Sequence, residues 1–343
     1  MLRGMTLDER EITTAVTLAG PDGRLRPEAV GWSRRPLHGT DAVTRGPVGR
    51  LRAKRWEYWA VTTPTHAVGL VLSDISYAGV HGIFVLDRRT GEQVRHDVTA
   101  VGRPGTATLP GTLGRGPARG RAGEIRTEIE ELPGGVGTRL RAAGPRVRLD
   151  VLAHRPDGHE SLAVVVPWSE RLYQYTVKDV CRPAEGTLWV DGEAFPVPSG
   201  ESWATLDHGR GRWPYDIAWN WGAGSGVVDG RVVGVQVGGR WTDGTGSTEN
   251  SLLVDGRLTK IGEELTWTYD AGDWLAPWRV TGEGVDLTFT PEHLREAVTD
   301  LKILASRTHQ AFGTWSGTVR DETGQDVRVD GVYGWAEDVH NRW

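Results

Sequence analysis

The chain has 343 residues and carries 40 Lys and Arg against 45 Asp and Glu, a net charge of −5. Its length fits one large or two medium domains with a substantial core, and its apolar and charged fractions, 38% and 25%, argue against disorder. The acidic balance removes any global electrostatic reason to bind nucleic acid or an anionic membrane surface.

Residues 1–18 alternate charges and lack an apolar run before a small-residue cleavage site, so no secretory leader is expected. No stretch reaches the ~18 apolar residues that a membrane-spanning helix needs. Cys181 is the only cysteine. A disulfide within the chain is therefore impossible, and a cytoplasmic location is expected. A lone Cys beside Arg182 reads as a small core residue rather than a nucleophile.

The first clear strand is residues 54–61, where Trp56 and Tyr58 share one face and Trp59 and Val61 the other. Residues 102–123, rich in Gly, Pro and Arg, read as a mobile surface loop. Residues 162–168 form an apolar run that suits a buried strand. Residues 183–202, with three prolines, suggest a junction, dividing the chain into units 1–195 and 196–343. Asp191-Gly192, Asp229-Gly230, Asp255-Gly256 and Asp330-Gly331 each follow a valine. An Asp-Gly pair tolerates the positive φ of a tight hairpin, so four hairpins are predicted. Leu265, Trp267 and Tyr269 alternate onto one face. Leu294, Val298, Leu301 and Leu304 predict a helix over residues 291–306, opened by Pro291. Residues 317–320 and 325–333 suggest a closing hairpin. Period-two alternation with short spacing makes the fold all-β and antiparallel, with few helices.

Residue types able to do chemistry concentrate between Trp203 and Asn250. Asp207 and His208 are adjacent, so on a strand they face opposite sides and cannot form a dyad with each other. His208 would have to pair across strands with Asp216 or Asp243, and Asn220 would face Trp241. A histidine, with an unperturbed pKa of roughly 6.5, suits a general acid or base. The functional reading is a dry pocket walled by Trp219, Trp221 and Trp241, with His208, Asp207 and Asp216 as proton-transfer candidates. Arg210, Tyr215, Asn220, Arg240 and Asp243 are candidates for ligand contact. The alternative is an Arg–Asp and His–Asp network that seals the base of a barrel. No His/Cys cluster has zinc spacing, and no motif calls for a cofactor. Paired carboxylates for glycoside cleavage, Asp207 with Asp243 or Glu249, remain open because Trp also stacks on sugars.

Four stretches carry a resemblance: Gly31-Trp32-Ser33-Arg34-Arg35-Pro36-Leu37-His38, Lys54-Arg55-Trp56-Glu57-Tyr58-Trp59, Asp207-His208-Gly209-Arg210-Gly211 through Trp221, and the ending Gly334-Trp335-Ala336-Glu337-Asp338-Val339-His340-Asn341-Arg342-Trp343. Together they resemble the bacterial family catalogued as domain of unknown function 2804. More distantly, Asp207-His208-Gly209-Arg210-Gly211, Trp219-Asn220-Trp221 and Thr314-Trp315-Ser316-Gly317 are similar to segments of lipocalin-like carotenoid 1,2-hydratases and related cyclases. That resemblance implies two interlocked lipocalin-like, calycin-type β-barrels or half-barrels with an apolar pocket between them. It also implies His208 as acid or base and Trp219 and Trp221 as pocket walls. Arg210 stands where that pattern has Trp, and Asn220 where it has Asp; Asn cannot exchange a proton at ordinary pH. The expected function is a cofactor-independent hydratase, cyclase or isomerase acting on an apolar or amphipathic small molecule. The rivals are a carrier of a lipid-like ligand and a carbohydrate-active protein.

Overall fold

The computed structural model describes residues 8–102, 106–300 and 305–342. Among the described residues, nearly all regular structure is antiparallel strand, and the longest helix is the seven-residue Gly46–Arg52. The strands form two curled half-barrels. In the first, a run of neighbours reads Gln93–Val101, Ala78–Asp87, His66–Asp74, Ala53–Thr62, Trp203–Arg212, Tyr173–Val190 and Val147–His154. The sheet then continues through shorter strands and curls until Gly120 lies against Leu72 and His81. The second runs from Arg257–Ile261 through Asn250–Val254, Arg231–Gly239, Asp216–Val228, Val332–Arg342 and Ala305–Arg320 to Val285–Asp300 and beyond. Its far edge curls back so that Trp267 Nε1 donates to the Gly238 carbonyl at 3.3 Å.

Three predicted Asp-Gly turns have the geometry that makes the pair useful. Asp191, Asp229 and Asp255 have φ of 51°, 50° and 48°, each followed by a positive-φ glycine, as a two-residue hairpin of type I′ requires. The fourth differs: Gly331 has φ 85° but Asp330 is not left-handed, and its carboxylate instead accepts from the Gly317 N–H at 2.9 Å.

Two expectations need correction. Residues 291–300 and 305–306 are strand rather than helix. Leu294 and Val298 are four apart, a spacing that places two residues on one face of a helix or of a strand, so it does not discriminate. Leu301 and Leu304 lie outside the described residues. The 102–123 stretch, expected as a loop, contributes strands Ala107–Thr108 and Ala118–Ala122 to the first sheet; residues 103–105 lie outside the described residues. Along the chain, Trp203–Arg212 belongs to the first sheet and the next strand, Asp216–Val228, to the second.

Each half-barrel has its own apolar interior, with Trp59, Leu70 and Leu140 in the first and Trp278, Phe289 and Trp315 in the second. A third cluster joins them. Phe84 of the first sheet stacks on Phe312 of the second at 5.5 Å, and Tyr58 meets Trp221 edge-on at 5.7 Å. At the seam the Tyr173–Val190 strand is bulged between Asp179 and Arg182. Cys181 sits there with φ 58°, buried, its backbone N–H donating to Ser225 Oγ at 3.0 Å. Burial pushes its thiol up to about 12, which agrees with an inert core residue.

Candidate functional site

A cavity of about 340 Å³ opens between the two half-barrels. Strand alternation decides what lines it. On Ala53–Thr62, Trp56 and Tyr58 point into the cavity while Trp59 and Val61 point into the first core. On Trp203–Arg212, Asp207 points in. On Tyr173–Val190, Thr176 and Lys178 do, and on Asp216–Val228, Trp219 and Trp221. Gly209 faces the same side as Asp207, and a Cβ there would meet the Trp56 indole at 2.2 Å, so only glycine lets that ring lie against the strand. One end is walled by indoles: Trp213 stacks on Trp241 at 5.4 Å, and both Trp56 and Trp219 meet Trp213 edge-on.

Besides the Arg95–Asp97 pair, two charged groups of side chains face this space. In the first, Lys178 Nζ lies 3.1 Å from Asp207 and 3.2 Å from Glu249. It sits 4.1 Å from the centre of the Trp221 ring. Thr176 Oγ1 donates to Asp207 at 3.1 Å, and Trp241 Nε1 to Glu249 at 2.5 Å. Burial opposes the charge on Lys178, but the two carboxylates outweigh it and hold the ammonium above its ordinary value. Burial raises the Glu249 carboxyl, against the pull of Lys178.

In the second, Glu337 on Val332–Arg342 accepts hydrogen bonds from Trp219 Nε1 at 3.0 Å and Gln310 Nε2 at 3.1 Å. Gln310 in turn accepts from Arg295 Nη1 at 2.9 Å. Burial pushes the Glu337 carboxyl up to about 7, although the Trp219 N–H and the nearby Lys178 and Arg295 charges favour ionisation. Burial likewise raises the Tyr58 phenol.

The residues singled out from sequence divide cleanly. Asp207, Trp219, Trp221 and Trp241 line the cavity. His208 and Arg210 lie on the opposite face of their strand, fully buried, around Glu57: His208 Nδ1 is 3.7 Å from its carboxylate and Arg210 Nη2 is 3.3 Å. The expected partners Asp216 and Asp243 are elsewhere. Asp216 is exposed and pairs with His340 at 2.6 Å, while Asp243 accepts from the Arg240 backbone N–H at 2.9 Å in a turn. Burial, then the Arg210 charge, lowers His208 to about 4, so it is neutral at physiological pH. Asn220 also faces away, donating to Tyr269 Oη at 3.0 Å and the Glu337 carbonyl at 3.2 Å rather than meeting Trp241. Arg240 pairs with Asp338 at 2.5 Å on the surface, and Tyr215 is exposed.

Sequence reasoning missed Lys178, Glu337, Gln310 and Arg295. For Glu337 a signal existed: Trp335, Glu337 and Val339 alternate onto one face of a terminal strand, so a carboxylate falls between two apolar neighbours. Lys178 stands between Val177 and Asp179 with no comparable pattern. Among the described residues, no three of His, Cys, Asp and Glu converge as a metal site, and no helix is long and apolar enough to cross a membrane.

The same architecture occurs in solved structures at low sequence identity. Kievitone hydratase from Nectria haematococca superposes with a TM-score of 0.50 at 13% identity, covering 96% of this chain and 98% of its own. CghA, in a complex with Sch210972, gives 0.54 at 12% identity, covering 95% and 97%. A Nitrosomonas europaea protein described as a candidate AttH gives 0.51 at 14%, covering 84% and 92%. At this identity the likeness establishes the fold. No curated protein sequence is significantly similar to the chain. Residues 9–343 match the profile of one family, and the chain accordingly belongs to it: Domain of unknown function (DUF2804).

Proposed function

We propose that this protein moves protons to or from a largely apolar small molecule held in the cavity between its half-barrels, in a reaction of the hydratase, cyclase or isomerase kind. The observation that carries the reading is Glu337, a buried carboxyl at the cavity wall held near 7. A carboxyl that titrates near neutrality is populated in both protonation states, which is what a general acid or base needs. Both its oxygens accept hydrogen bonds from fixed donors, Trp219 and Gln310, so its orientation is set before a ligand arrives. Asp207, anchored by Thr176 and Lys178, is a further carboxyl facing the space. The indole faces of Trp213, Trp219 and Trp221 favour positive charge developing on an apolar substrate. The volume lies at the lower end of the ~300–1,000 Å³ range of small-molecule pockets. That a similarly folded protein is named a hydratase agrees with this reading and carries none of its weight.

A carrier of a lipid-like ligand would use the same cavity, but a carrier gains nothing from a carboxyl poised to exchange protons. Deuterium incorporation separates the two. The protein is incubated in D₂O with a panel of enolisable ketones and activated alkenes, and products are read by mass spectrometry. Enzyme-dependent incorporation, reduced about 10²–10⁴-fold in Glu337→Gln, is expected. Bound ligand without exchange, or exchange at the wild-type rate in Glu337→Gln, would refute the acid–base reading.

A further inference from the structure

Three cations line the cavity: Arg95, Lys178 and Arg295. Two have counter-charges. Lys178 lies between Asp207 and Glu249, and Arg95 pairs with Asp97 while also donating to the Glu296 carbonyl at 3.2 Å. Arg295 has none. Among the described residues no carboxylate lies within ion-pair distance of it, and its hydrogen bond is the single one from Nη1 to Gln310. Its Nε is buried without a partner. Its guanidinium carbon lies 4.8 Å from the centre of the Phe84 ring, and the side chain is partly withdrawn from water. A guanidinium offers five N–H donors in a planar fork matched to a pair of oxygens. Keeping the Arg295 Nε buried without an acceptor costs free energy that an anion on the guanidinium would return.

The neighbours say where that anion would lie. Gln310 is bonded to Arg295 through its carbonyl and to Glu337 through its amide, so the guanidinium stands one side chain from the carboxyl. Asp207 and Glu249, which share the Lys178 ammonium beside Trp221 and Trp241, repel an anion. The cavity is therefore polarised, with the Arg295 cation on one side of Glu337, across Gln310, and the Trp219 indole bonded to the same carboxyl.

We propose that the cavity's ligand carries an anionic oxygen terminus, a carboxylate or enolate-type oxygen, that seats on the Arg295 guanidinium, with its apolar body toward Trp219 and Trp213. This rests on the proposed small-molecule function of the same cavity and narrows it to a class of ligand. An oxygen on Arg295 would leave the atoms next to it facing Glu337, the position a proton-transfer group requires.

The test compares 2-naphthoate with 2-naphthamide, which share size and aromatic body and differ in charge. Binding to the full chain at pH 6 is followed by quenching of tryptophan fluorescence. The expected result is that wild type binds naphthoate at least tenfold more tightly. In Arg295→Gln that preference should fall to within about twofold. Arg295→Lys should keep part of it, and the surface variant Arg148→Gln all of it. Equal or tighter binding of the amide by wild type would overturn the anionic terminus while leaving an apolar-ligand cavity standing. A preference that survives in Arg295→Gln would place the anion on another cation and equally overturn the assignment. Binding of neither probe would reject the small-molecule cavity itself, and the assignment with it. The wild-type comparison stands whether or not the variants fold.

Discussion

Replacing Glu337 by Gln isolates the electrostatics of the cavity in one measurement. Burial moves this carboxyl from 4.5 to about 7, so its ionisation costs about 3 kcal/mol more in the folded protein than in the unfolded chain, at about 1.4 kcal/mol per pH unit. The groups around it are Trp219 and Gln310 as donors, Lys178 and Arg295 as cations, and Asp207 as an opposing anion. Below about pH 4.5 the carboxyl is neutral in both states and its contribution to stability is complete. As pH rises toward 7, the unfolded chain gives up the proton and the folded protein keeps it, so that contribution is lost and is gone above the folded value. Gln does not titrate. Its second donor faces the Gln310 amide and costs about 1 kcal/mol at every pH. The variant's stability relative to wild type should therefore rise by about 3 kcal/mol between pH 4.5 and pH 8.5. At roughly 2 °C per kcal/mol for a chain of this size, that is a change of about 6 °C in the Tm difference. Thermal unfolding of both proteins across this range gives the difference curve directly, and titrations common to both, including that of His208, cancel. A flat difference curve would show that Glu337 ionises at its ordinary pH, open to water, and would remove it as the poised acid.

Lys178→Met should cost about 3–5 kcal/mol, because Asp207 and Glu249 are left facing each other in a buried space; Lys178→Met combined with Glu249→Gln should recover much of that in denaturant unfolding, and no recovery would argue against the ion triad. His208→Ala should lower stability by roughly 2–4 kcal/mol, since a fully buried ring is lost beside Tyr175 and Glu57. His208 is held at about 4 against 6.5 unfolded, so the neutral form stabilises the fold above 6.5 and this is lost as pH falls toward 4; the variant should lack that acid-side slope, whereas intact stability with abolished turnover would restore His208 as a catalytic group. Deleting residues 335–343 should yield insoluble protein, because Val332–Arg342 is paired on both sides, to Asp216–Val228 and Ala305–Arg320; soluble protein with an unchanged Tm would contradict this.

What the sequence determined by itself was local. Asp-Gly pairs place hairpins because only a few residue types accept positive φ, and that constraint acts within two residues. Alternation sorted Trp56 and Tyr58 from Trp59 and Val61, and Asp207 from His208, because successive side chains on a strand face opposite sides whatever the strand packs against. Alternation could not say which face would meet the cavity. His208 looked like the acid–base group because an isolated histidine has the right pKa; its burial beside Arg210 removed that property, while the separate burial of Glu337 at the cavity wall raised a carboxyl toward neutrality. Nor could spacing settle the arms of the Val285–Asp300 and Ala305–Arg320 hairpin, where residues four apart share a face in either conformation and pairing with neighbouring strands decides. The cavity group joins Lys178, Asp207 and Glu249 from separate strands and connections with Gln310, Arg295 and Glu337 from a distant hairpin and the last strand. Strand pairing sets Asp207 beside Lys178 and Gln310 beside both Arg295 and Glu337, but only the packing of the two sheets adds Glu249 to Lys178 and buries the Glu337 carboxyl so that it titrates near neutrality.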